Sequence, residues 1–269
     1  MVAMKWPLLF LSLFSTLCAE IDYHKLIEQF PEMLGRRGCW KEGEIEIAIN
    51  PDEIKRIEKI TSQRFMRMGY SEEDAKKYST CGVIVEDHYW IWIRDAVTFP
   101  GGIPGTYDRI IWKTGLTGPP GAVVFPILKN KKILVNVNFR HATRSWELEL
   151  PRGGRQEKET PEQAAIRELQ EETGCLAKNL IHLGDLAPET GVVSGIVPVY
   201  YAEVHDRKAR HQDESEAIAL NIEMSQEEIQ KAFLKGYVIV QIKGHQTRVY
   251  CRDPFLTYAL LQAKWRKLI

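Results

Sequence analysis

The sequence predicts an α/β protein: an α/β/α sandwich whose mixed, curved sheet lies between a helix at residues 161–173 and a C-terminal helix, with a mainly helical extension ahead of it. Three observations carry this reading. A short, well-capped helical segment follows a glycine turn, runs rich in β-branched and aromatic residues flank it, and the chain before those runs carries apolar residues at helical spacing.

The capped segment, PRGGRQEKETPEQAAIRELQEETGC at residues 151–175, organises the rest. Thr160 suits an N-cap, Pro161 a first helical turn where no N–H is needed, and Gln163 stands three residues on, completing a capping-box pattern. Gly174 is a natural terminator. Along this helix Glu168, Glu171 and Glu172 fall at i, i+3 and i+4, so three carboxylates share one face. Three glutamates alone read first as a solvated acidic face. As a set they repel one another, and a hard divalent cation, which takes oxygen ligands, would turn that repulsion into binding.

The full spacing decides between these readings. Gly153, five residues, Glu159, seven residues and then Arg167-Glu168-Leu169-x-Glu171-Glu172-x-Gly174 resembles, position for position, the signature of the Nudix hydrolases. Cys175 departs from it, standing where that family has a bulky aliphatic residue, and as a small buried hydrophobe it implies a slightly looser core with intact chemistry. The resemblance implies that Glu168, Glu171 and Glu172 hold Mg²⁺ or Mn²⁺, that Arg167 pairs with Glu159 to orient those carboxylates, and that Gly153 lets the loop backbone approach the metal. It also places Arg152, just before that glycine, in the metal set. The reaction implied is hydrolysis of a nucleoside diphosphate linked to another group, the metal neutralising the diphosphate and helping to activate water while a carboxylate acts as general base. A Nudix-fold protein that binds a nucleotide without cleaving it is the alternative, and the presence of all three carboxylates argues for the enzyme.

The flanks narrow the resemblance. An N-terminal strand pair, a Pro-Gly-rich stretch before Gly121-Ala122-Val123-Val124, Asn138-Phe139-Arg140, and Trp146-Glu147-Leu148 leading into Pro151 and Gly153 look like the ADP-ribose pyrophosphatase branch, over residues 83–269. That branch implies ADP-ribose, cleaved to AMP and ribose 5-phosphate, as first substrate, with a dinucleoside polyphosphate, a nucleotide sugar or a damaged nucleoside triphosphate as alternatives. It implies a homodimer, with Arg140 the first candidate for a substrate contact and Arg109 and Trp112 weaker ones; core packing explains Trp112 equally well. The charged run at residues 207–216 sits where the branch supplies a catalytic base, making Glu214 and Glu216 candidates, with a solvated loop as the plain alternative. Pro188-Glu189-Thr190-Gly191 departs in spacing from the loop that selects ADP-ribose in that branch.

Taken in order, residues 1–19 read as a signal peptide: Lys5, an apolar run at 6–17, and Leu17-Cys18-Ala19 before Glu20. The run falls short of the ~20 residues that span a bilayer, so export to a periplasmic or extracellular site is expected, with a buried N-terminal helix and a cytoplasmic location as the alternative. Residues 20–82 read as a helical extension, with one helix opening at Asn50-Pro51 and ending at Gly69, and another capped by Ser71. Residues 83–99 read as two strands broken near Glu86-Asp87, 122–128 and 133–139 as a hairpin, and 180–187 and 197–204 as strands. Ser225-Gln226-Glu227-Glu228 forms a second capping box, and Asp253-Pro254 opens the last helix. With 36 basic and 36 acidic residues the net charge is zero, so no global field draws the chain to nucleic acid or an anionic membrane. The five cysteines show no zinc spacing; for Cys39 and Cys81 a disulfide and free thiols are both open.

Overall fold

The computed structural model describes residues 22–31, 35–208 and 217–269. The segment read as a signal peptide, residues 1–19, and the candidate bases Glu214 and Glu216 lie outside them. The chain divides into two compact units, residues 1–111 and 112–269.

The first unit combines helices α1 (Tyr23–Gln29), α2 (Pro51–Arg67) and α3 (Glu72–Ser79) with strands β1 (Glu46–Ile47), β2 (Gly82–Glu86), β3 (Trp90–Phe99) and β4 (Ile103–Trp112). Asn50 caps α2 by accepting from Asp52 and Glu53, and Ser71 caps α3. β3 is the hub, pairing antiparallel with β1 and β2 and also with β4. The strand pair at 82–99 therefore falls in the same compact unit as the extension's helices, and that unit ends at 111/112, after the boundary at 82/83 expected from sequence. Cys39 and Cys81 are free thiols. Burial and the nearby Glu58 carboxylate push the Cys81 thiol up to about 12.

The second unit holds a nine-stranded mixed sheet: β5 (Gly121–Ile127), β6 (Ile133–Arg140), β7 (Ser145–Glu149), β8 (Arg152–Gly154), β9 (Cys175–Leu186), β10 (Val197–Arg207), β11 (Ile218–Met224), β12 (Tyr237–Ile242) and β13 (His245–Tyr250). β10 runs parallel to β5 and antiparallel to β9, while β6 runs antiparallel to β7 and β11. Three helices pack with it: α4 (Pro161–Thr173), α5 (Gln226–Lys235) and α6 (Pro254–Trp265).

The period of two along the strands sorts side chains to two faces. On β5, Val123, Phe125 and Ile127 join Val135, Val137, Val199 and Tyr201 in one core cluster, which takes Phe255, Leu256, Ala259 and Ala263 from α6. Ala122 and Val124, with Leu134, Tyr200 and Ala202, face Ala164, Ala165 and Leu169 of α4. The α/β/α arrangement is thus as read from sequence, with α4 and α6 on opposite faces. Cys175 is fully buried in the α4 cluster, the small hydrophobe its position implied.

Helix α4 spans the residues read from its caps. Thr160 accepts from the Gln163 N–H, the Gln163 side chain accepts from the Thr160 N–H, and Gly174 ends the helix in the left-handed region at φ 72°. No helix among the described residues is long and apolar enough to cross a membrane. Replacing Thr160 by alanine should lower the unfolding free energy by about 1 kcal/mol while aspartate largely preserves it; urea denaturation of the two variants checks this, and equal losses would show that the cap hydroxyl is not what stabilises the helix start.

Candidate active site

The site forms where α4 crosses the short glycine strand β8. Glu168 is 5% and Glu172 3% exposed, positions where a carboxylate is costly unless its charge is met. Glu172 Oε2 accepts from the Arg152 backbone N–H at 3.0 Å and from Asn136 Nδ2 at 2.7 Å. One turn earlier, the Glu168 carboxylate lies directly over Gly153, so closely that a Cβ on that residue would collide with it. Two carboxylates four residues apart on the helix thus meet two adjacent residues of the strand. In this structure the glycine makes room for a side chain from α4.

Arg167 gathers the remaining acids. Its Nε donates to Glu159 Oε1 at 2.9 Å, Nη2 to Glu159 Oε2 at 3.0 Å and to the Gly154 carbonyl at 2.7 Å, and Nη1 to Glu168 Oε1 at 2.7 Å and Glu171 Oε2 at 2.8 Å. Burial opposes the guanidinium's charge, but the bonds to Glu159 and Glu168 outweigh it and raise its pKa above the ordinary arginine value. Burial likewise acts to raise the Glu159 carboxyl, and the Arg167 bond outweighs it, holding the group below its ordinary 4.5. Arg155 ties the loop down, donating to the carbonyls of Pro119, Thr114 and Glu159.

Beside β8 a second polar group fills a cleft of about 260 Å³ lined by Arg140, Glu147, Glu149, Arg152, Arg252 and Asp253. Arg140 donates to both oxygens of Glu149 at 2.9 and 2.8 Å. Arg152 bridges Glu149 at 2.8 Å and Asp253 at 2.6 Å. Burial drives the Asp253 carboxyl above its ordinary value, with Arg152 pulling the other way.

The carboxylates predicted as a metal set are hard oxygen donors, which suits Mg²⁺ or Mn²⁺ in kind. Glu168 and Glu172 both reach β8, and Glu171, with its side chain 41% exposed, opens to solvent over a cleft of about 440 Å³ lined by Gln163, Ile166, Arg167, Gln170 and Glu171. The three are not drawn together as a ready cluster: among the described residues no group of three His, Cys, Asp or Glu is placed to hold a metal ion. Arg152's guanidinium is committed to two carboxylates and its backbone N–H to Glu172, so its side chain contributes charge balance to the site. Arg140 reaches the site's edge through Glu149. Arg109 lies in the first unit, paired with Asp95 at 2.6 Å, an acid that also accepts from the Tyr23 hydroxyl. Trp112 stands at the end of β4 beside Gly115 and Gly195.

Residues 118–239 match the family described as NUDIX domain. That region is a NUDIX-domain match, and the chain is similar to ADP-ribose pyrophosphatases. An "ADP-ribose pyrophosphatase" of Bacillus subtilis (strain 168) is 38% identical over 85 residues, 31% of this chain and 46% of that protein. A "CMP-5'-(N-acetyl-N-hydroxy-3-aminopropyl)phosphonate hydrolase" of Streptomyces rubellomurinus (strain ATCC 31215) is 33% identical over 88 residues, 32% of this chain and 43% of the relative. A "Methanol dehydrogenase activator" of Bacillus methanolicus is 33% identical over 112 residues, 40% of this chain and 60% of its own. The chain thus spans about half the length of the curated relatives it matches. A solved structure titled "Crystal structure of ADP compounds hydrolase" superposes with a TM-score of 0.52 at 19% identity, covering 70% of this chain and 92% of that one, a likeness of fold.

Sequence reasoning gave no part in the site to Asn136, Glu149, Asn221 or Asp253, the last being read only as the start of a helix. A signal for the first was present: asparagines at 136 and 138 interrupt the otherwise apolar strand ILVNVNF, and they are 2% and 7% exposed. A polar residue inside a buried strand needs a partner, and that need points to a site.

Two expectations follow from this geometry. In Gly153→Ala the new methyl displaces the Glu168 carboxylate from Arg167, which should cost about 1–3 kcal/mol of stability and leave the fold intact; a thermal melt with near-ultraviolet circular dichroism reads this, and an unchanged melting temperature would contradict the packing described. Glu159, with its folded pKa depressed, contributes stability that is fully present above 4.5 and is lost as pH falls through the lower folded value. Urea melts between pH 3 and 5 should show a shallower loss of stability in Glu159→Gln than in the parent, and equal slopes would remove Glu159 from the account.

Proposed function

We propose that this chain is a Nudix-family hydrolase that cleaves the diphosphate of a nucleoside diphosphate linked to another group, with ADP-ribose, giving AMP and ribose 5-phosphate, as its first substrate. The observation that carries the reading is the convergence of Glu168 and Glu172 on adjacent residues of the glycine strand, with Arg167 collecting Glu159, Glu168 and Glu171 beside them. Intact carboxylates at all three signature positions favour an enzyme over a nucleotide-binding relative.

Glu168, Glu171 and Glu172 are the residues that would hold Mg²⁺ or Mn²⁺. Bound there, the cation would offset the diphosphate's charge and lower the pKa of an attacking water. The chain's own groups do the rest. Arg167 keeps the acids in register, and Arg140, at the lip of the adjoining cleft, presents a guanidinium edge suited to the anionic oxygens of a substrate. Attack of water at phosphorus forms one P–O bond and breaks the anhydride P–O bond, and the water's proton passes to a carboxylate base. Glu214 and Glu216 are the proposed bases. The CMP-phosphonate relative supports a second reading within the class, in which the group beyond the scissile bond is not a ribose phosphate. Export through residues 1–19 and assembly as a homodimer complete the proposal; N-terminal sequencing of the mature protein and sedimentation equilibrium test them.

The deciding experiment is a panel of ADP-ribose, a nucleotide sugar, a dinucleoside polyphosphate and an oxidised nucleoside triphosphate, assayed with Mg²⁺ or Mn²⁺ for released monophosphate or phosphate. Glu171→Gln is the cleanest variant, because Glu171 is the most exposed of the three and its replacement removes a charge with little effect on packing. Turnover should fall by roughly 10²-fold or more, corresponding to a loss of several kcal/mol of transition-state stabilisation. Full metal-dependent turnover in both Glu171→Gln and Glu172→Gln would refute the assignment, and no turnover of any substrate by the parent would leave the nucleotide-binding alternative in its place.

A further inference from the structure

Asn136 and Asn221 stand directly opposite each other in the pairing of β6 with β11. Asn136 Nδ2 donates to Glu172 Oε2 at 2.7 Å, and Asn136 Oδ1 accepts from Asn221 Nδ2 at 2.8 Å. Asn221 Nδ2 also donates to the Glu172 backbone carbonyl at 3.2 Å, and Asn221 Oδ1 accepts from Arg207 Nη2 at 3.3 Å. Arg207 Nε in turn donates to the Thr173 carbonyl at 3.0 Å. Two backbone carbonyls of α4's last turn, which have no partner within the helix, are thus taken by side chains from β10 and β11.

The chain of bonds has a single possible polarity. A guanidinium only donates and an ionised carboxylate only accepts. Arg207 therefore requires the oxygen of Asn221, which turns the Asn221 amide N–H toward Asn136, and that requires the oxygen of Asn136 and turns its N–H toward Glu172. Amide orientation is ordinarily ambiguous; here both ends of the chain determine it. A donor delivered in this way to a buried carboxylate does more than satisfy it, because it fixes which oxygen is held.

We infer that Asn136 and Asn221 are positioning residues for Glu172, a one-way relay of hydrogen bonds from Arg207 that orients this carboxylate for a divalent cation. The inference rests on the cation reading proposed above and adds a determinant of affinity outside the signature helix. Partners of this kind behind a metal ligand commonly set affinity by a factor of 10–100.

The test is Mn²⁺ binding to the full chain, followed by electron paramagnetic resonance, with thermal melts of each variant alongside. Asn136→Leu and Asn221→Ala should each weaken Mn²⁺ binding by about tenfold or more while remaining folded at the assay temperature. Asn221→Asp is the sharper probe. Its side chain offers only acceptors, so Asn136 must turn its N–H toward it and present its own oxygen to Glu172. The relay then predicts weaker Mn²⁺ binding, whereas an added negative charge acting through space predicts tighter binding. Because Asn221 is only half-buried, its two variants decide the matter even if Asn136→Leu does not fold. Affinities within twofold of the parent in folded Asn221→Ala, or tighter binding in Asn221→Asp, would overturn the inference alone. Failure of the parent itself to bind Mn²⁺ would instead overturn the cation reading and the inference with it.

Discussion

The site depends on one guanidinium. Three carboxylates, Glu159, Glu168 and Glu171, gather around one side chain at the end of the glycine loop and along one helix face, an arrangement that like charges oppose. Arg167 answers all of them: its five N–H groups make five donations, four to these acids and one to the Gly154 carbonyl. The fit uses the planar fork of arginine. A lysine at this position would supply the charge with three donors from a single nitrogen, and it could not span Glu159 and Glu171 together. The fixed interval between Glu159 and Arg167 in the signature has a physical reason in this geometry. The loop residue must come back to the second turn of α4, where Nε and Nη2 face it.

What was legible in the sequence was local. The caps of α4, α5 and α6 are short-range hydrogen bonds between residues two or three apart, so Thr160 with Gln163, Ser225 with Glu228, and Asp253-Pro254 could be read directly. The three glutamates were legible for the same reason, since helical spacing alone puts them on one face. The β12–β13 hairpin was not. Its two-residue loop, Lys243-Gly244, has both φ values positive, at 48° and 84°, yet it carries lysine where Asn-Gly or Asp-Gly would signal such a turn. Strand β9 begins at Cys175, immediately after α4 and five residues ahead of the expected start, because its pairing with β10 continues to Arg207 through successive irregularities of register.

The supporting polar residues were hidden by distance along the chain. Asn136 and Glu172 are 36 residues apart, Asn221 and Asn136 85, and Arg152 and Asp253 101. Strand register brings Asn136 and Asn221 together, and the packing of α4 and of the start of α6 on the sheet brings in Glu172 and Asp253; no periodicity in one segment reports on either. Arg140, Arg109 and Trp112 show the converse. Each was selected as a residue type suited to nucleotide contact, and the fold gives them different settings: Arg140 is in the cleft beside β8, Arg109 is locked to Asp95 within the first unit, and Trp112 stands at the end of β4.

These long-range contacts fasten the glycine strand from both faces of the sheet. From the α4 side, Glu172 takes the Arg152 N–H and Glu168 lies over Gly153. From the α6 side, Asp253 caps its own helix by accepting from Phe255 and Leu256, and also accepts from the Leu150 N–H and the Arg152 guanidinium. Asp253 is 5% exposed, and burial opposes its charge, so the acid is tolerated only because Arg152 and three backbone donors converge on it. Arg152 is thereby gripped at both ends, its backbone by α4 and its side chain by α6. Leu150, Arg152 and Gly153 carry contacts from two helices that pack into separate cores. The backbone at the candidate metal site is therefore positioned by the whole sandwich, while the signature helix supplies the carboxylates; an exposed loop could not hold two buried acids against a strand in this way.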